Sequence, residues 1–339
     1  MADYNVDYAG QINGAGDVRA LWLKKFAGEV INKLTESRDT LGMTREKTLK
    51  AGKSYQFPYT GTLAPSYHVP GTELLGQTTK NAEKVISLDD LLVVDRFTPK
   101  IDKWMEHYDT RSEYSKQMAE VLGVTMDRHV FNEAVLGARA AEIVTGNNAG
   151  GFVISSDKFK LDTGVPANAQ TSIELANAIR AGLKEAATEF KKKNVPAGLK
   201  KVLYIDWEVY YNILDAVDTN GFSLFNKDYA SGNIEQGMLP PVYGIHIKGT
   251  NNLPTTDTSG LANAQAGVDF FHKGDFTKTI GVIMCEGAVA TVKASDIAIE
   301  VDPYQARYKG QLVTADYFVG HGWIRPEFLM EFNLITTSN

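Results

Sequence analysis

The residues best suited to hold a metal ion are six histidines, because a neutral imidazole nitrogen is a common ligand of zinc and related ions. None of them forms a His-x-x-x-His or His-Glu-x-x-His arrangement, the spacing that puts two ligands on one face of a helix. We therefore expect each to be a surface or partly buried polar residue, and we predict neither a metal site nor a cofactor. The six are His68, His107, His129, His246, His272 and His321.

Nucleophilic and acid-base catalysis also find little support in the sequence. The only cysteine, Cys285, ends the apolar run 281–285, a context that favours a buried and inert thiol. The chain has no Gly-x-Ser-x-Gly motif, which would mark a nucleophilic serine. The adjacent carboxylates Asp89 and Asp90 would point to opposite faces of a strand, so solvated or capping roles fit them better. We predict no catalytic residues.

Phosphate and nucleic-acid binding are disfavoured by both motif and charge. Residues 244–249 have the glycine spacing of a phosphate-binding loop, but Thr250 follows, the required lysine is missing, and the apolar interior is typical of a strand. The 35 Lys and Arg residues against 41 Asp and Glu give a formal net charge of −6. Tight DNA binding needs several cations at phosphate spacing, so an acidic chain would leave nearby DNA free to slide.

The bulk composition indicates a folded cytoplasmic protein. A length of 339 residues with 43% hydrophobic and 22% charged residues suffices for a core and exceeds one average domain. A single cysteine and the absence of any Asn-x-Ser/Thr sequence favour a reducing compartment. The polar segment 1–16 does not resemble a signal peptide and no 18-residue apolar run follows, so we expect neither export nor a membrane span.

The first hundred residues predict two projecting elements. Apolar positions at helical spacing predict an amphipathic helix over residues 17–38, capped by Asp17. Residues 44–102 are punctuated by glycine and proline and predict two or three strands around a long turn region, with short runs at 54–59 and 84–94. An isolated two-stranded ribbon is marginally stable, so this segment needs a partner surface such as another subunit.

The remainder alternates helices and strands, which predicts an α+β or α/β lobe. A long helix over 103–141 would form a rod of about 50–60 Å. A helix over 171–194 is marked by a capping box of Thr171 and Glu174 and by Pro196 beyond its end. Further helix and strand predictions cover 201–206 (strand), 208–217 (helix), and the strands 244–248, 279–285, 296–300, 317–325 and 331–337, with an exposed loop at 249–267.

Four stretches carry a resemblance to a known family, and they come in its order and at its spacing. They are Ala51-Gly-Lys-Ser-Tyr-Gln-Phe-Pro58, Glu83-Lys-Val-Ile-Ser-Leu-Asp89, His107-Tyr-Asp-Thr-Arg-Ser-Glu-Tyr114 and Tyr317-Phe-Val-Gly-His-Gly-Trp-Ile-Arg-Pro326. With these the chain resembles the major capsid proteins of short-tailed phages of the Autographiviridae type. The resemblance runs from about Leu21 to Arg325, whereas segments 1–16 and 249–276 differ from the family pattern.

The resemblance implies the Hong Kong 97-type phage capsid fold, of the α+β class. It implies an N-arm with an amphipathic helix over residues 1–43 and an extended β-hairpin loop over 44–102. A peripheral domain with a long spine helix would comprise residues 103–161 and 295–339, and an axial domain residues 162–294.

The family also implies a structural, non-enzymatic role. Such a protein self-assembles into hexamers and pentamers that form an icosahedral shell enclosing packaged double-stranded DNA. Its implied partners are copies of itself, a scaffolding protein during assembly, a portal protein at one vertex, and DNA confined without sequence-specific binding. Its place would be the virion capsid, assembled in the host bacterial cytoplasm.

Four charged residues are candidates for contacts between subunits. We hypothesise that Arg111 and Glu113 pair with the extended loop or N-arm of a neighbouring subunit, the alternative being that they are solvated charges beside packed tyrosines. Lys53 and Lys84, near the strands of the extended loop, are candidates for similar contacts. A lysine–asparagine cross-link between subunits, found in some shells of this fold, is not expected here.

Two rival interpretations remain open from sequence. A cargo-carrying nanocompartment shell shares the fold, and it would need a pocket for a cargo peptide. A cytoplasmic hydrolase or transferase with an unrecognised site would need perturbed ionisable groups in a cleft.

Overall fold

The computed structural model describes residues 39–40, 42–61, 63–74, 76–101, 110–144, 149–159, 169–216, 239–261, 271–295, 298–302 and 309–335. The helix predicted over 17–38 and the first seven residues of the one predicted over 103–141 lie outside these ranges. The described residues form two compact units. The first comprises residues 89–126 and 293–319, and the second residues 39–88, 127–292 and 320–335.

The first unit is an antiparallel sheet covered by part of a helix. Its strands are β4 (Leu92–Pro99), β10 (Ala298–Asp302) and β11 (Gly310–Tyr317), with β11 in the middle. Helix α1 (Thr110–Ala138) contributes its residues up to Met126 to this unit. Its buried side chains recur every four residues and pack on β11, so a helical stripe meets one face of the sheet. They are Met118, Leu122 and Met126, against Val313, Ala315 and Tyr317.

The second unit is built on a five-stranded mixed sheet with the order β5, β13, β8, β6, β7. The strands are β5 (Phe152–Ser156), β6 (Lys201–Ile205), β7 (His246–Gly249), β8 (Thr279–Cys285) and β13 (Leu329–Leu334). Strand β8 pairs antiparallel with both of its neighbours, whereas the two outer pairings are parallel. Strands β6 and β8 are almost wholly buried, as expected for the centre of a sheet.

Helices α2 (Ala169–Lys192) and α3 (Trp207–Leu214) pack with this sheet in one hydrophobic core. Gly182 of α2 lets Phe332 of β13 approach closely, since a Cβ there would lie 2.5 Å from the Phe332 ring. Asp206 caps α3 by accepting a hydrogen bond from the Glu208 amide. Among the described residues, no helix has the length and hydropathy that a bilayer crossing requires.

Two smaller sheets complete the second unit. One has the order β1 (Arg45–Thr48), β9 (Val289–Lys293), β12 (Val319–Trp323). The other is the hairpin of β2 (Ser54–Thr60) and β3 (Asn81–Ser87). The strand predicted over 279–285 is observed with those bounds, and most other predicted elements are found within a few residues.

Several predictions at element boundaries were wrong. The run 84–94 is two strands, because the chain leaves β3 at Leu88 before β4 begins. The run 317–325 likewise divides after Tyr317. Thr171 does not cap α2, which begins at Ala169. The loop predicted to be exposed over 249–267 contains buried Thr250 and Asn252, and strands β1, β5 and β9 were not predicted.

Candidate assembly surface

The hairpin of β2 and β3, with the connection between them, forms a segment that we call the finger (residues 54–87). Its register runs from Ser54 opposite Ser87 to Thr60 opposite Asn81. At the root, Phe57 and Ile86 are buried. Because side chains alternate along a strand, most of the others in the finger are exposed or half-buried.

Contacts with the segment 320–324 anchor the root of the finger. The Tyr59 hydroxyl donates a hydrogen bond to the Ile324 carbonyl. The Nζ of Lys84 lies 3.6 Å from the centroid of the Trp323 ring, in cation–π contact. Burial raises the pKa of Tyr59, which keeps its hydroxyl a donor. The root is thus tied to β12 and its continuation by polar and aromatic contacts.

Two glycines of β12 allow the finger to lie this close. A Cβ at Gly320 would lie 2.1 Å from the Ser87 carbonyl oxygen, and one at Gly322 would lie 2.8 Å from Ile86 Cγ1. Only a residue without a side chain fits such a backbone approach. This packing gives a physical reason for the Gly-His-Gly sequence in the stretch 317–326.

The finger tip, residues 61–80, is exposed at every described position from 63 onward. Local hydrogen bonds hold it: the Gly61 amide donates to the Lys80 carbonyl, and the Gln77 side chain bonds both backbone groups of Ala64. Four large apolar side chains nevertheless face outward, with exposed fractions of 65% for Leu63, 102% for Tyr67, 62% for Val69 and 78% for Leu74. Such a cluster on a thin ribbon is typical of a surface that another chain covers.

The four charged residues predicted as contacts between subunits lie in different environments. Lys53 is exposed just before β2, and its carbonyl accepts a hydrogen bond from the Leu88 amide. Lys84 is half-buried on Trp323 of the same chain; burial lowers its pKa, while Glu133 acts in the opposite direction. Arg111 and Glu113 lie in the first turn of α1, and their side chains are outside the described part.

A second exposed patch was not predicted from sequence. Trp207 and Tyr211, one turn apart on α3, stack with ring centroids 5.7 Å apart, and both are exposed. Gly249 lies under the Trp207 indole, where a Cβ would be 2.5 Å from the ring. The i, i+4 spacing of two aromatics on a helix is the signal that marks such a patch in a sequence.

The expectation that all histidines are surface or partly buried residues was wrong for three of them. His129, His272 and His321 are buried and lie within contact of one another in the second unit. They come from a helix, a loop and a strand that are distant in sequence. Spacing along the chain therefore contains no signal that would have revealed this cluster.

Comparison with known proteins gives consistent matches along the chain. A family model described as Gp10A-like major capsid protein matches residues 56–331. The major capsid protein of Escherichia phage T7 is 32% identical over 332 residues, which cover 92% of this chain and 91% of that protein. The major capsid protein of Enterobacteria phage T3 is 30% identical, covering 94% and 92% respectively.

Solved capsid structures share the fold. The capsid structure of cyanophage P-SCSP1u contains a chain that is similar with a TM-score of 0.76 and 31% identity, covering 99% of this chain and 100% of that one. A chain of the mature capsid of bacteriophage PhiM1 gives a TM-score of 0.74 at 16% identity, covering 99% and 97%. These likenesses confirm the predicted Hong Kong 97-type α+β fold.

Proposed function

Because this chain belongs to the Gp10A-like family of phage major capsid proteins, we propose that it self-assembles into hexamers and pentamers of an icosahedral shell that encloses packaged double-stranded DNA. The observation that carries the proposal is the exposed apolar finger tip. The four large side chains there, at Leu63, Tyr67, Val69 and Leu74, lose their contact with water only if another molecule covers them.

The occupant we assign to the finger tip is a second copy of this chain. The finger is anchored at its root and exposed along its tip, so it is shaped to reach beyond its own subunit. Each of the four side chains, when fully covered, would stabilise the contact by about 1.5–3 kcal/mol. The entropy lost on ordering the interface must be subtracted from that gain. Many such weak contacts, repeated around a closed shell, hold it together.

The negative net charge of the chain is consistent with a shell that encloses DNA without binding it tightly. With a net charge of −6, the subunit lacks the surplus of cations that a tightly bound DNA would require. The DNA is then confined by the shell and remains free to move during packaging. The role is structural, as in the family, and the chain performs no catalysis.

The remaining parts of the proposal rest on family membership. We assign residues 1–43 to an N-arm, 44–102 to an extended loop, 103–161 and 295–339 to a peripheral domain, and 162–294 to an axial domain. Assembly takes place in the host bacterial cytoplasm with a scaffolding protein, and a portal protein occupies one vertex of the virion capsid.

Electron microscopy of the purified protein tests the proposal. The double variant Tyr67→Ser/Leu74→Ser removes two apolar side chains that have few contacts within the subunit, so it should stay folded but fail to form closed shells. The matched control, Tyr67→Phe/Leu74→Met, keeps the apolar surface and should form shells like the natural chain. Normal shells from the serine variant would contradict the role assigned to the finger tip.

Arg111, Glu113, Lys53 and Lys84 are the proposed charged contacts between subunits, and charge reversal at Glu113 and at Lys53 tests one residue of each pair. If Glu113 pairs with a neighbouring subunit, Glu113→Lys should block particle assembly while the subunit retains its circular dichroism spectrum and unfolding midpoint. A second reversal, Lys53→Glu, tests the exposed lysine in the same way. Particles of normal yield and size from both variants would show that Glu113 and Lys53 are solvated charges that contact no neighbouring subunit.

A further inference from the structure

Trp207 and Tyr211 form an exposed aromatic pair on α3. Their rings stack with centroids 5.7 Å apart, and the exposed fractions are 38% for Trp207 and 52% for Tyr211. The Trp207 ring packs on Gly249 at the end of β7, and the buried Tyr210 meets that ring edge-on, so the pair is held in place. A rigid aromatic pair loses little conformational entropy when another molecule covers it.

The charges beside this pair are negative. Helix α3 and its two caps contain three carboxylates and no lysine, arginine or histidine. The carboxylates belong to Asp206, Glu208 and Asp215, and all three residues are exposed. Aromatic ring faces and carboxylates both attract cations, so this surface fits lysine or arginine side chains of another molecule. We call Asp206, Trp207, Glu208 and Tyr211 the aromatic face.

Lysines gather at the opposite end of the same strand. Strand β6 begins at Lys201 and ends at Ile205, directly before Asp206. Where β6 begins, the Nζ of Lys201 lies 5.7 Å from the centroid of the Phe190 ring, so the end of α2 reaches the same place. We call the exposed or half-buried lysines there the lysine end; they are Lys191, Lys192, Lys200 and Lys201.

The lysine end carries a surplus of positive charge. Lys191 and Lys200 are exposed and form no ion pair within the described part of the chain. Lys192 pairs with Glu189, and the amide of the exposed Glu286 donates a hydrogen bond to the Lys200 carbonyl. Four lysines thus stand beside two carboxylates, and the ammonium groups of Lys191 and Lys200 are available to a partner.

We propose that the aromatic face of one subunit binds the lysine end of the next copy of this chain, head to tail. The occupant is a second copy because the two surfaces carry opposite charge and lie at opposite ends of one strand in the same unit. Contact between two different surfaces is a heterologous interface, which forms a ring when the rotation between neighbours closes. The inference rests on the proposed function and deepens it, since hexamers and pentamers are such rings.

The chemistry of the contact suits rings of both sizes. A lysine carries a point charge on a flexible stem, so one contact accommodates the different angles between neighbours in rings of five and of six. The chain already uses this chemistry internally, where the Nζ of Lys84 lies 3.6 Å from the centroid of the Trp323 ring.

Cross-linking within assembled particles tests the arrangement. Asp215→Cys lies one turn beyond Tyr211, and Ala197→Cys lies in the exposed turn before Lys200, so neither change removes a residue of the two surfaces. The natural Cys285 is buried and should not react. In particles of the double variant, a bis-maleimide as long as a lysine side chain should give a ladder of linked chains on denaturing gels. Each single variant should give monomers.

Substitutions test the chemistry of the aromatic face. Trp207→Ser/Tyr211→Ser should lower the yield of closed particles at least about 10-fold while the subunit keeps its circular dichroism spectrum. The matched control, Trp207→Phe/Tyr211→Phe, keeps two ring faces and should assemble like the natural chain. Glu208→Lys places a cation opposite the lysine end and should also lower the yield at least about 10-fold. If the serine variant fails to fold, the cross-linking result decides.

Three results would overturn the inference. They are particles of the double-cysteine variant that give only monomers, dimers from Asp215→Cys alone, which would mean that like faces meet, and a folded serine variant that assembles at the natural yield. Particles without the ladder contradict this inference alone. A natural chain that forms no particles contradicts the proposed function, and this inference with it.

Discussion

Lys84 of strand β3 places its ammonium 3.6 Å above the centroid of the Trp323 ring, within the same chain. The contact joins the finger to β12 and brings together two of the stretches that carry the family resemblance, 83–89 and 317–326. Lys84 therefore supports the finger from its own subunit, whatever further contact it makes with a neighbour. Its burial disfavours the charge, whereas the ring face and Glu133 favour it.

Replacing Lys84 with methionine tests the strength of this anchor. Lys84→Met keeps most of the aliphatic chain and removes the charge, so it should lower the free energy of unfolding by about 0.5–1 kcal/mol. Denaturant unfolding measures the change. Lys53→Met, at the exposed lysine before β2, is the matched control and should change the stability by less than about 0.5 kcal/mol. Equal effects of the two variants would mean that the ring contact does not stabilise the fold.

The sequence predicted those helices and strands that are marked by an apolar run or by residues at their own ends. The apolar run of β8 lies at the centre of a sheet, and its bounds 279–285 were predicted correctly. Asp206, which caps α3, and Pro196, beyond the end of α2, mark helix ends in the sequence itself. By contrast, β9 is separated from β8 by only a short turn, and its identity as a strand depends on pairing with β1 and β12.

How well each candidate surface could be predicted from the sequence depended on how far it is built from tertiary contacts. The finger was predictable because glycine and proline punctuate it and little in it can form a core. The contact of Lys84 with Trp323 and the histidine cluster were not, because each joins residues from elements far apart in sequence. Periodicity reports which face of an element is buried but not which other element covers it.

The close approach of β12 to the finger predicts a strong effect of a single methyl group. Gly320→Ala would place a Cβ 2.1 Å from the Ser87 carbonyl oxygen and 2.9 Å from Leu88 Cα. Both are backbone atoms, so the finger root must shift, at a cost of about 1–3 kcal/mol. We expect a lower unfolding midpoint and a reduced yield of closed particles by electron microscopy.

The control for this substitution is Gly198→Ala, where a Cβ would meet nothing within 4 Å. This change restricts the unfolded chain without a clash, so it should leave the stability unchanged or raise it by up to about 1 kcal/mol. If Gly320→Ala behaves like Gly198→Ala, the finger root yields easily and is not fixed by β12.

An ion pair between a partly exposed arginine and a fully buried carboxylate in the second unit predicts an asymmetric mutational response. The guanidinium of Arg139 donates two hydrogen bonds of 2.6 Å to the carboxylate of Glu331, which is fully buried. Arg139→Met leaves that carboxylate without its cation and should cost about 3–5 kcal/mol of stability. The double variant Arg139→Met/Glu331→Met removes both charges and should recover a large part of the loss.

A surface pair provides the comparison. Lys192 and Glu189 lie 2.5 Å apart on α2, and the lysine is mostly exposed. Lys192→Met should cost less than about 0.5 kcal/mol, because solvent screens the charge of the exposed lysine. Denaturant unfolding of the natural chain, the two single variants and the double variant measures these differences in stability. A double variant as unstable as Arg139→Met would mean that lost packing, and not the unpaired carboxylate, causes the effect.

The single thiol should be inert in the folded chain. Cys285 is fully buried at the end of β8, and burial raises its pKa to about 12. At mildly alkaline pH the thiolate is therefore scarce, and iodoacetamide should label the thiol only after denaturation. Ser259→Cys, at an exposed position, should be labelled at once under the same conditions. Rapid loss of both thiols of that variant would show that the β8 end opens readily.

The last prediction concerns Glu327, whose carboxyl has a pKa raised above its ordinary value by burial. Its Oε2 is buried without a hydrogen-bond partner among the described residues. Between an ordinary pKa of about 4.5 and the raised value, the folded chain holds a proton that the unfolded chain has released. Stability therefore falls as the pH rises through that window and stays lower above it.

Glu327→Gln removes this titration and should raise the stability at neutral pH by up to about 1 kcal/mol, because a neutral amide is easier to bury than a carboxylate. The advantage should shrink as the pH falls and vanish below about 4.5, where the natural carboxyl is neutral in both states. Thermal unfolding across that pH range measures the difference. Glu185→Gln, at an exposed position on α2, should show no comparable pH-dependent gain, and a gain of equal size there would contradict the assignment to burial of Glu327.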